Sequence, residues 1–266
     1  MIKKIVQSVR TLLLLIMSVM GIAAATEERF VVMDFGALDT IAALEKGEVV
    51  VALPKGNLPE YLAQFDNEQY HNTGGMKEPD IPLIESLNPT GIIISPRQGA
   101  YLEALEGIAP VYNFGVEGDY LPAVEKNILS VAALLGVKEM GEVKVEALRT
   151  TLENIKARAQ ERDKRAILLL HNDGKLILST ESKYADLLHN QLGVARAEEE
   201  KRERFLVDPA YLSSLNPDLI YIVDRSAAIG AEAFDLDYFT QESLVEVEAV
   251  KSSGIHYLTP KLWYLS

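Results

Sequence analysis

One phrase of this sequence occurs twice. Residues 86–98 read SLNPTGIIISPRQ and residues 214–226 read SLNPDLIYIVDRS, 128 positions apart and identical at seven of thirteen places. The matches are Ser86/Ser214, Leu87/Leu215, Asn88/Asn216, Pro89/Pro217, Ile92/Ile220, Ile94/Ile222 and Arg97/Arg225. Each copy reads as a helix end, an Asn-Pro turn, a short apolar strand and a polar loop that opens with arginine. Apolar runs such as GIII and LIYIV, bounded by turn signals, suit parallel strands covered on both faces. Ligands of open α/β sheets bind beyond the carboxyl ends of the strands. Two related lobes, each offering one arginine at such an edge, are therefore expected. The plainer alternative is that helix–turn–strand is a common α/β phrase and both arginines are ordinary surface residues. That the match runs through the strand to the arginine itself argues against it.

The remaining segments keep the same rhythm. Strands are expected at Phe30–Asp34, Val49–Leu53, Gly91–Ser95 and Pro110–Phe114, with helices at Ala37–Leu44, Leu58–Phe65, Ile81–Leu87 and Gln98–Leu105 between them. Such alternation indicates a mainly parallel sheet clothed in helices. A longer helix is expected over about 119–135, capped by Asp119, with Leu121, Val124, Ile128, Val131 and Leu135 as one apolar stripe and Gly136 as its stop. A second helix, 142–162, places Val145, Leu148, Leu152, Ile155 and Ala159 on one face. A fresh strand at Ala166–Leu170 and a hairpin partner at Lys175–Ser179, across Asn172-Asp173-Gly174, open the second half. The fold class is α/β: a lobe over 26–118, a connecting helix over 119–136 and a lobe over 137–266, with the ligand cleft between lobes. No Ser- or Gly-rich linker separates them, which predicts a stiff connection.

The N-terminus carries a separate message. Lys3, Lys4 and Arg10 precede the apolar run Leu12–Val19, and Ala23-Ala24-Ala25 supplies small residues at a cleavage site. This is the pattern of a secretory signal over 1–25. Removing it, with its three positive charges, leaves 241 residues and takes the formal net charge from −13 to −16. So acidic a surface argues against nucleic acid as a partner. The chain has no cysteine, which excludes disulfides, thiolate metal sites, cysteine nucleophiles and a lipid-anchoring cysteine. A Gram-negative periplasm and a monomer are the expectation. Nucleophile-elbow, dinucleotide-binding, phosphate-loop and zinc-protease motifs are all missing. The four histidines, His71, His171, His189 and His256, are scattered singly. Nothing forms a catalytic constellation, so no enzyme and no intrinsic cofactor are expected.

Several ordered motifs carry a resemblance: VMDFGALDT at 32–40, VALPK at 51–55, NLPEYL at 57–62, GGMKEPD at 74–80, PRQ at 96–98, NPDLIYIVDR at 216–225 and WYLS at 263–266. Together they resemble the periplasmic catecholate-siderophore-binding proteins of ABC importers, over nearly all of the exported chain. In that family two α/β lobes joined by one long helix hold the ligand in the cleft between them. The resemblance implies that Arg97 and Arg225 face an anionic ferric complex from opposite lobes, where arginine supplies a fixed fork of donors and a stacking plane. It places Lys183, in the run Ser182-Lys183-Tyr184, where the family has a third arginine. It also places Tyr264 where some members coordinate iron through a tyrosine, in keeping with the preference of ferric iron for oxygen.

Three departures accompany the resemblance. Arg202-Glu203-Arg204 stands where the family often has a His-Gly pair that supplies a second iron ligand. Pro82 and Ala210 stand where it usually has glutamates that pair with arginines of the membrane permease. The sequence stops at Ser266, where relatives continue with glycines and a final helix. The expected function is capture of a ferric siderophore, the transported ligand, for delivery to an ABC permease. The nearer alternative keeps the fold and binds another iron chelate, haem or cobalamin. Remoter ones are a secreted hydrolase or lyase and a paralogue that has lost import.

Overall fold

The computed structural model describes residues 27–116 and 118–265; the export signal expected over 1–25 lies outside them. The first sheet comprises β1 (Phe30–Val32), β2 (Val50–Leu53), β3 (His71–Asn72), β4 (Gly91–Ile94) and β5 (Val111–Asn113). Their spatial order is β3-β2-β1-β4-β5, and every neighbouring pair is parallel. The second sheet comprises β6 (Arg165–Asn172), β7 (Lys175–Leu178), β8 (Ala195–Arg196), β9 (Phe205–Val207), β10 (Leu219–Asp224) and β11 (Ile255–Tyr257). It runs β11-β10-β6-β7-β9, with β8 beside the start of β6. Strands β7 and β9 are antiparallel to their neighbours, so this sheet is mixed. The β6–β7 hairpin forms where Asn172-Asp173-Gly174 foretold it, with Asp173 at φ 52° and Gly174 at φ 70°. No described helix is long and apolar enough to cross a membrane.

The two repeats fold alike, and their likeness reaches further upstream than the thirteen matched residues. Asp80 Oδ1 accepts from the Leu83 amide at 3.1 Å and caps the helix Ile81–Ser86. Asp208, 128 positions later, accepts from the Tyr211 amide at 2.8 Å and caps Pro209–Leu215. Both helices end on an asparagine in the left-handed region, Asn88 at φ 48° and Asn216 at φ 45°. Asparagine tolerates that conformation because its short polar side chain bonds locally, and the proline that follows cannot prolong the helix. Each repeat strand then lies beside the strand that opens its lobe. Thr90 Oγ1 and Asp218 Oδ2 each accept, at 2.8 Å, from the backbone amide of an arginine there, Arg29 and Arg165. Strands β4 and β10 are thus held in equivalent places, and their carboxyl ends point Arg97 and Arg225 out of equivalent edges.

Two helices join the sheets. Tyr120–Leu134 forms where the long helix was expected, but its Val131 and Ala132, with Leu135 beyond its end, are buried in the first lobe's core beside Leu38, Ile41 and Leu44. Lys138–Arg162 is the longer, at 25 residues, or about 37 Å. It starts against the first helix, where a Cβ on Gly141 would lie 2.4 Å from that of Ala132. Arg149 adds a two-pronged ion pair to Glu125, at 2.8 and 2.7 Å. Its last turns border Leu168, Leu188 and Leu219 of the second lobe. Lys138–Arg162 thus reaches from the first lobe to the second, while Tyr120–Leu134 packs on the first lobe's core and also meets the turn Asp186–Gln191 of the second. The sequence showed two apolar stripes; the burial of Val131, Ala132 and Leu135 shows where the first of them packs.

A short helix that the periodicity did not reveal, Pro260–Leu265, returns from the second lobe to the first. Leu265 is buried in the core of the first lobe, Trp263 packs on that of the second, and Tyr264 touches both. Lys261 Nζ donates to the Leu58 carbonyl of the first lobe at 3.2 Å.

Candidate ligand site

Strand β4 ends at Ile94, and Ser95 caps the tight turn Pro96–Tyr101 that carries Arg97. Arg97 Nη2 donates to the Tyr264 carbonyl at 3.0 Å and Nη1 to that of Leu265 at 3.3 Å. Strand β10 ends at Asp224, which caps the short helix Arg225–Ala228. Arg225 Nε donates to the Tyr264 hydroxyl at 2.9 Å, Nη1 donates to Asn172 Oδ1 at 2.6 Å, and the guanidinium lies 5.7 Å from the Tyr264 ring centroid. The repeat arginines thus meet at one residue, one on its backbone and the other on its side chain. Arg97, Arg225, Tyr264 and Leu265 line a single cavity of about 330 Å³, which Asn57, Ile229 and the segment Gly75–Glu78 complete.

Lys183 is not among the residues that line this cavity, although it belongs to the same electrostatic neighbourhood. It opens the helical turn capped by Ser182, with its ammonium 5.0 Å from the Tyr184 ring centroid. It keeps solvent access, yet burial and then the charge of Arg97 draw its pKa below the ordinary lysine value, and Asp34 opposes them. Asp34 stands beyond β1 and caps the helix Phe35–Ala43, accepting from the Ala37 amide at 2.7 Å. Burial pushes its carboxyl up, against hydrogen bonds from Ala37 and Gly36 and the charges of Arg97 and Lys183. Burial also raises the phenol pKa of Tyr120 and Tyr184, the first with help from Asp34 and the second from Tyr264. The cleft is therefore a mixture of cations, the carboxyl groups of Asp34 and Glu78, and aromatic rings.

Asp34, Asn57, Tyr120, Asn172, Tyr184 and Ile229 were not singled out from sequence. Asp34 had a legible signal, an acid between an apolar strand and a helix start. Asn172 was read only as part of a turn, and its contact with Arg225 depends on the pairing of β6 with β10, where His171 lies opposite Asp224.

The region expected to lack an iron-binding histidine is occupied by an ion-pair cluster. Arg202 bonds Glu198 at 3.2 Å and Glu200 at 2.7 Å, while Glu203 is exposed. His171 and His189 are committed elsewhere, to Asp224 and to the Val194 carbonyl, each at 2.8 Å. The side-chain oxygens that line the cavity are those of Tyr264, Glu78 and Asn57. Pro82 and Ala210 are exposed in the first turns of the two repeat helices. A second cavity of about 320 Å³ lies against the second sheet, between Leu168, Leu219, Trp263 and the end of Lys138–Arg162. It touches neither repeat arginine, so the chemistry points to the first.

A family model described as "Periplasmic binding protein" matches residues 31–262. The petrobactin-binding protein YclQ of Bacillus subtilis (strain 168) is 30% identical over 244 residues, 90% of this chain and 77% of that protein. Its crystal structure superposes with a TM-score of 0.85, covering 90% of this chain and 85% of that one. The ferric-anguibactin-binding protein FatB of Vibrio anguillarum is 22% identical over 246 residues, 85% of this chain and 76% of that protein. The periplasmic catecholate-siderophore binding protein VctP of Vibrio cholerae has a TM-score of 0.78 at 25% identity, covering 90% of this chain and 87% of that one.

Proposed function

The chain belongs to the periplasmic binding protein family, and on that premise we propose that it captures a ferric catecholate siderophore between its lobes for an ABC permease. It is a solute-binding protein, not an enzyme, and the ferric siderophore is its cargo. The observation that carries the reading is the convergence of Arg97 and Arg225, from equivalent strand ends of two lobes, on one cavity at Tyr264. Catecholate oxygens bound to iron carry negative charge. Guanidinium forks in a half-buried cleft bind such oxygens more strongly than neutral donors do, and their planes stack on aromatic rings. Arg97 is held by two carbonyls and Arg225 by a hydroxyl and an amide oxygen, so both are kept extended toward the cavity until an anion replaces these acceptors. Lys183 adds charge at its margin.

Tyr264 is positioned to add one oxygen to an iron left incompletely wrapped, and a hexadentate chelate needs only the arginines and the rings. The N-terminal lobe, the 138–162 bridge and the C-terminal lobe then act as a stiff frame. A monomer exported to the periplasm by residues 1–25 is the form we expect. Permease docking would use the faces around Pro82 and Ala210 without the usual glutamate pairing. The test is titration of the protein with a ferric catecholate while the fluorescence of Trp263, the single tryptophan of the chain, is followed. Saturable quenching by the ferric complex, absent with haem or cobalamin, supports the reading. No response to any ferric catecholate sinks it.

A further inference from the structure

Each repeat arginine is followed by a polar residue that is buried, Gln98 at 0% exposure and Ser226 at 3%. The two occupy equivalent places in the repeat, and each fastens its arginine's turn to a loop from elsewhere in its lobe. Ser226 Oγ accepts from the Asp173 amide of the β6–β7 turn at 2.9 Å. Gln98 does more. Its Oε1 accepts from the Ser95 amide at 2.9 Å and the Ser95 hydroxyl at 3.0 Å, and its Nε2 donates to the carbonyls of Met33, at 3.4 Å, and Met76. One side chain therefore ties together the ends of β1 and β4 and the tip of the turn Gly75–Glu78.

That turn is a compact hairpin tip. Gly75 and Glu78 exchange amide–carbonyl bonds at 3.2 Å in both directions, and Gly74 pairs with Pro79 below them. Met76 is buried in the core of the first lobe, while Lys77 and Glu78 are exposed and line the same cavity as the two arginines. The tip carries one cation and one anion side by side, so its orientation decides which sign faces a bound ligand. We infer that Gln98 is a positioning residue that sets this orientation, and that Lys77 is a ligand-facing cation of the cavity, a role that Lys183 does not take there. The inference rests on the cavity being the site of an anionic chelate. Removing the Gln98 amide leaves the Met76 carbonyl without its buried donor, and a buried carbonyl without a partner moves toward water or another donor.

The experiment compares the parent with Gln98→Met, Lys77→Gln and Glu78→Gln by titration with a ferric tris-catecholate at fixed low salt. Amide hydrogen exchange is read in the absence of ligand. Gln98→Met should exchange the amides of Gly75 and Glu78 at least about tenfold faster while β6 and β10 are unchanged, and should bind about tenfold more weakly. Lys77→Gln should weaken binding several-fold with exchange unaltered, and Glu78→Gln should bind as tightly as the parent or tighter. Should Gln98→Met fail to fold, Gln98→Glu keeps the acceptor for Ser95 and loses the donor to Met76, and the same outcomes are expected of it. Unchanged exchange at the tip, or folded variants at Gln98 and Lys77 that bind like the parent, would overturn the inference. Failure of the parent to bind the complex counts against the functional reading instead, and the exchange result still judges the tether.

Discussion

Replacing Arg97 by alanine probes the charge clamp most directly, because the structure shows what its guanidinium gives up to bind. It donates to the Tyr264 carbonyl at 3.0 Å and, more weakly, to the Leu265 carbonyl at 3.3 Å. An anionic chelate takes over both donors. The exchange replaces neutral carbonyl acceptors by anionic ones, so the net loss expected for Arg97→Ala is about 1.5–3 kcal/mol, the range for a hydrogen bond to a charged group, a weakening of about 10- to 150-fold. Arg97→Lys restores the charge without the fork and should recover only part of it. Isothermal titration with a hexadentate ferric catecholate, at one fixed salt concentration, measures all three proteins. The clamp is refuted if Arg97→Ala, folded as judged by circular dichroism, binds within about twofold of the parent, a difference of only about 0.4 kcal/mol.

Three further outcomes are expected. Tyr264→Phe removes the hydroxyl that accepts from Arg225, worth about 0.5–1.5 kcal/mol of stability; the parent should prefer hexadentate to tetradentate ferric catecholates, and a preference for the tetradentate complex that survives the substitution would contradict the proposed site. Asp224 is fully buried, and burial raises its carboxyl pKa, but hydrogen bonds from Tyr257, Ala227, Phe234 and His171 outweigh that and lower it below the usual 3.8. Its contribution is therefore complete above the unfolded value and lost as pH falls through the lower folded value; Asp224→Asn should cost about 1–3 kcal/mol at neutral pH and flatten the acid limb of a urea-denaturation series. Gly141→Val must push apart two helices whose surfaces meet at Ala132, at about 1–3 kcal/mol, visible as a lower midpoint of thermal unfolding with the slope of the transition unchanged.

The sequence by itself determined the α/β class, the two equivalent strand ends and the chemistry placed there. These features depend on local rules: Asn-Pro stops a helix, apolar runs become buried strands, and a repeated arginine takes a repeated place. It also determined the hairpin at Asn172–Gly174, since that turn depends on positive φ at two adjacent residues. The tertiary structure decided matters that depend on which surfaces meet. Residues 119–135 read as a complete amphipathic helix, but only tertiary packing shows that Val131, Ala132 and Leu135 enter the first lobe's core and that Gly141 lets 138–162 pack closely on that helix. The periodicity gave no sign of Pro260–Leu265, which is too short to show an amphipathic repeat; its place comes from burying Leu265 in one lobe and Trp263 in the other. Arg97, Arg225 and Tyr264 were legible as site residues, but not that both arginines would bond Tyr264, nor Asn172 as the partner of Arg225. Those contacts join residues 39 to 167 positions apart, and no local pattern encodes a distance that only tertiary packing creates.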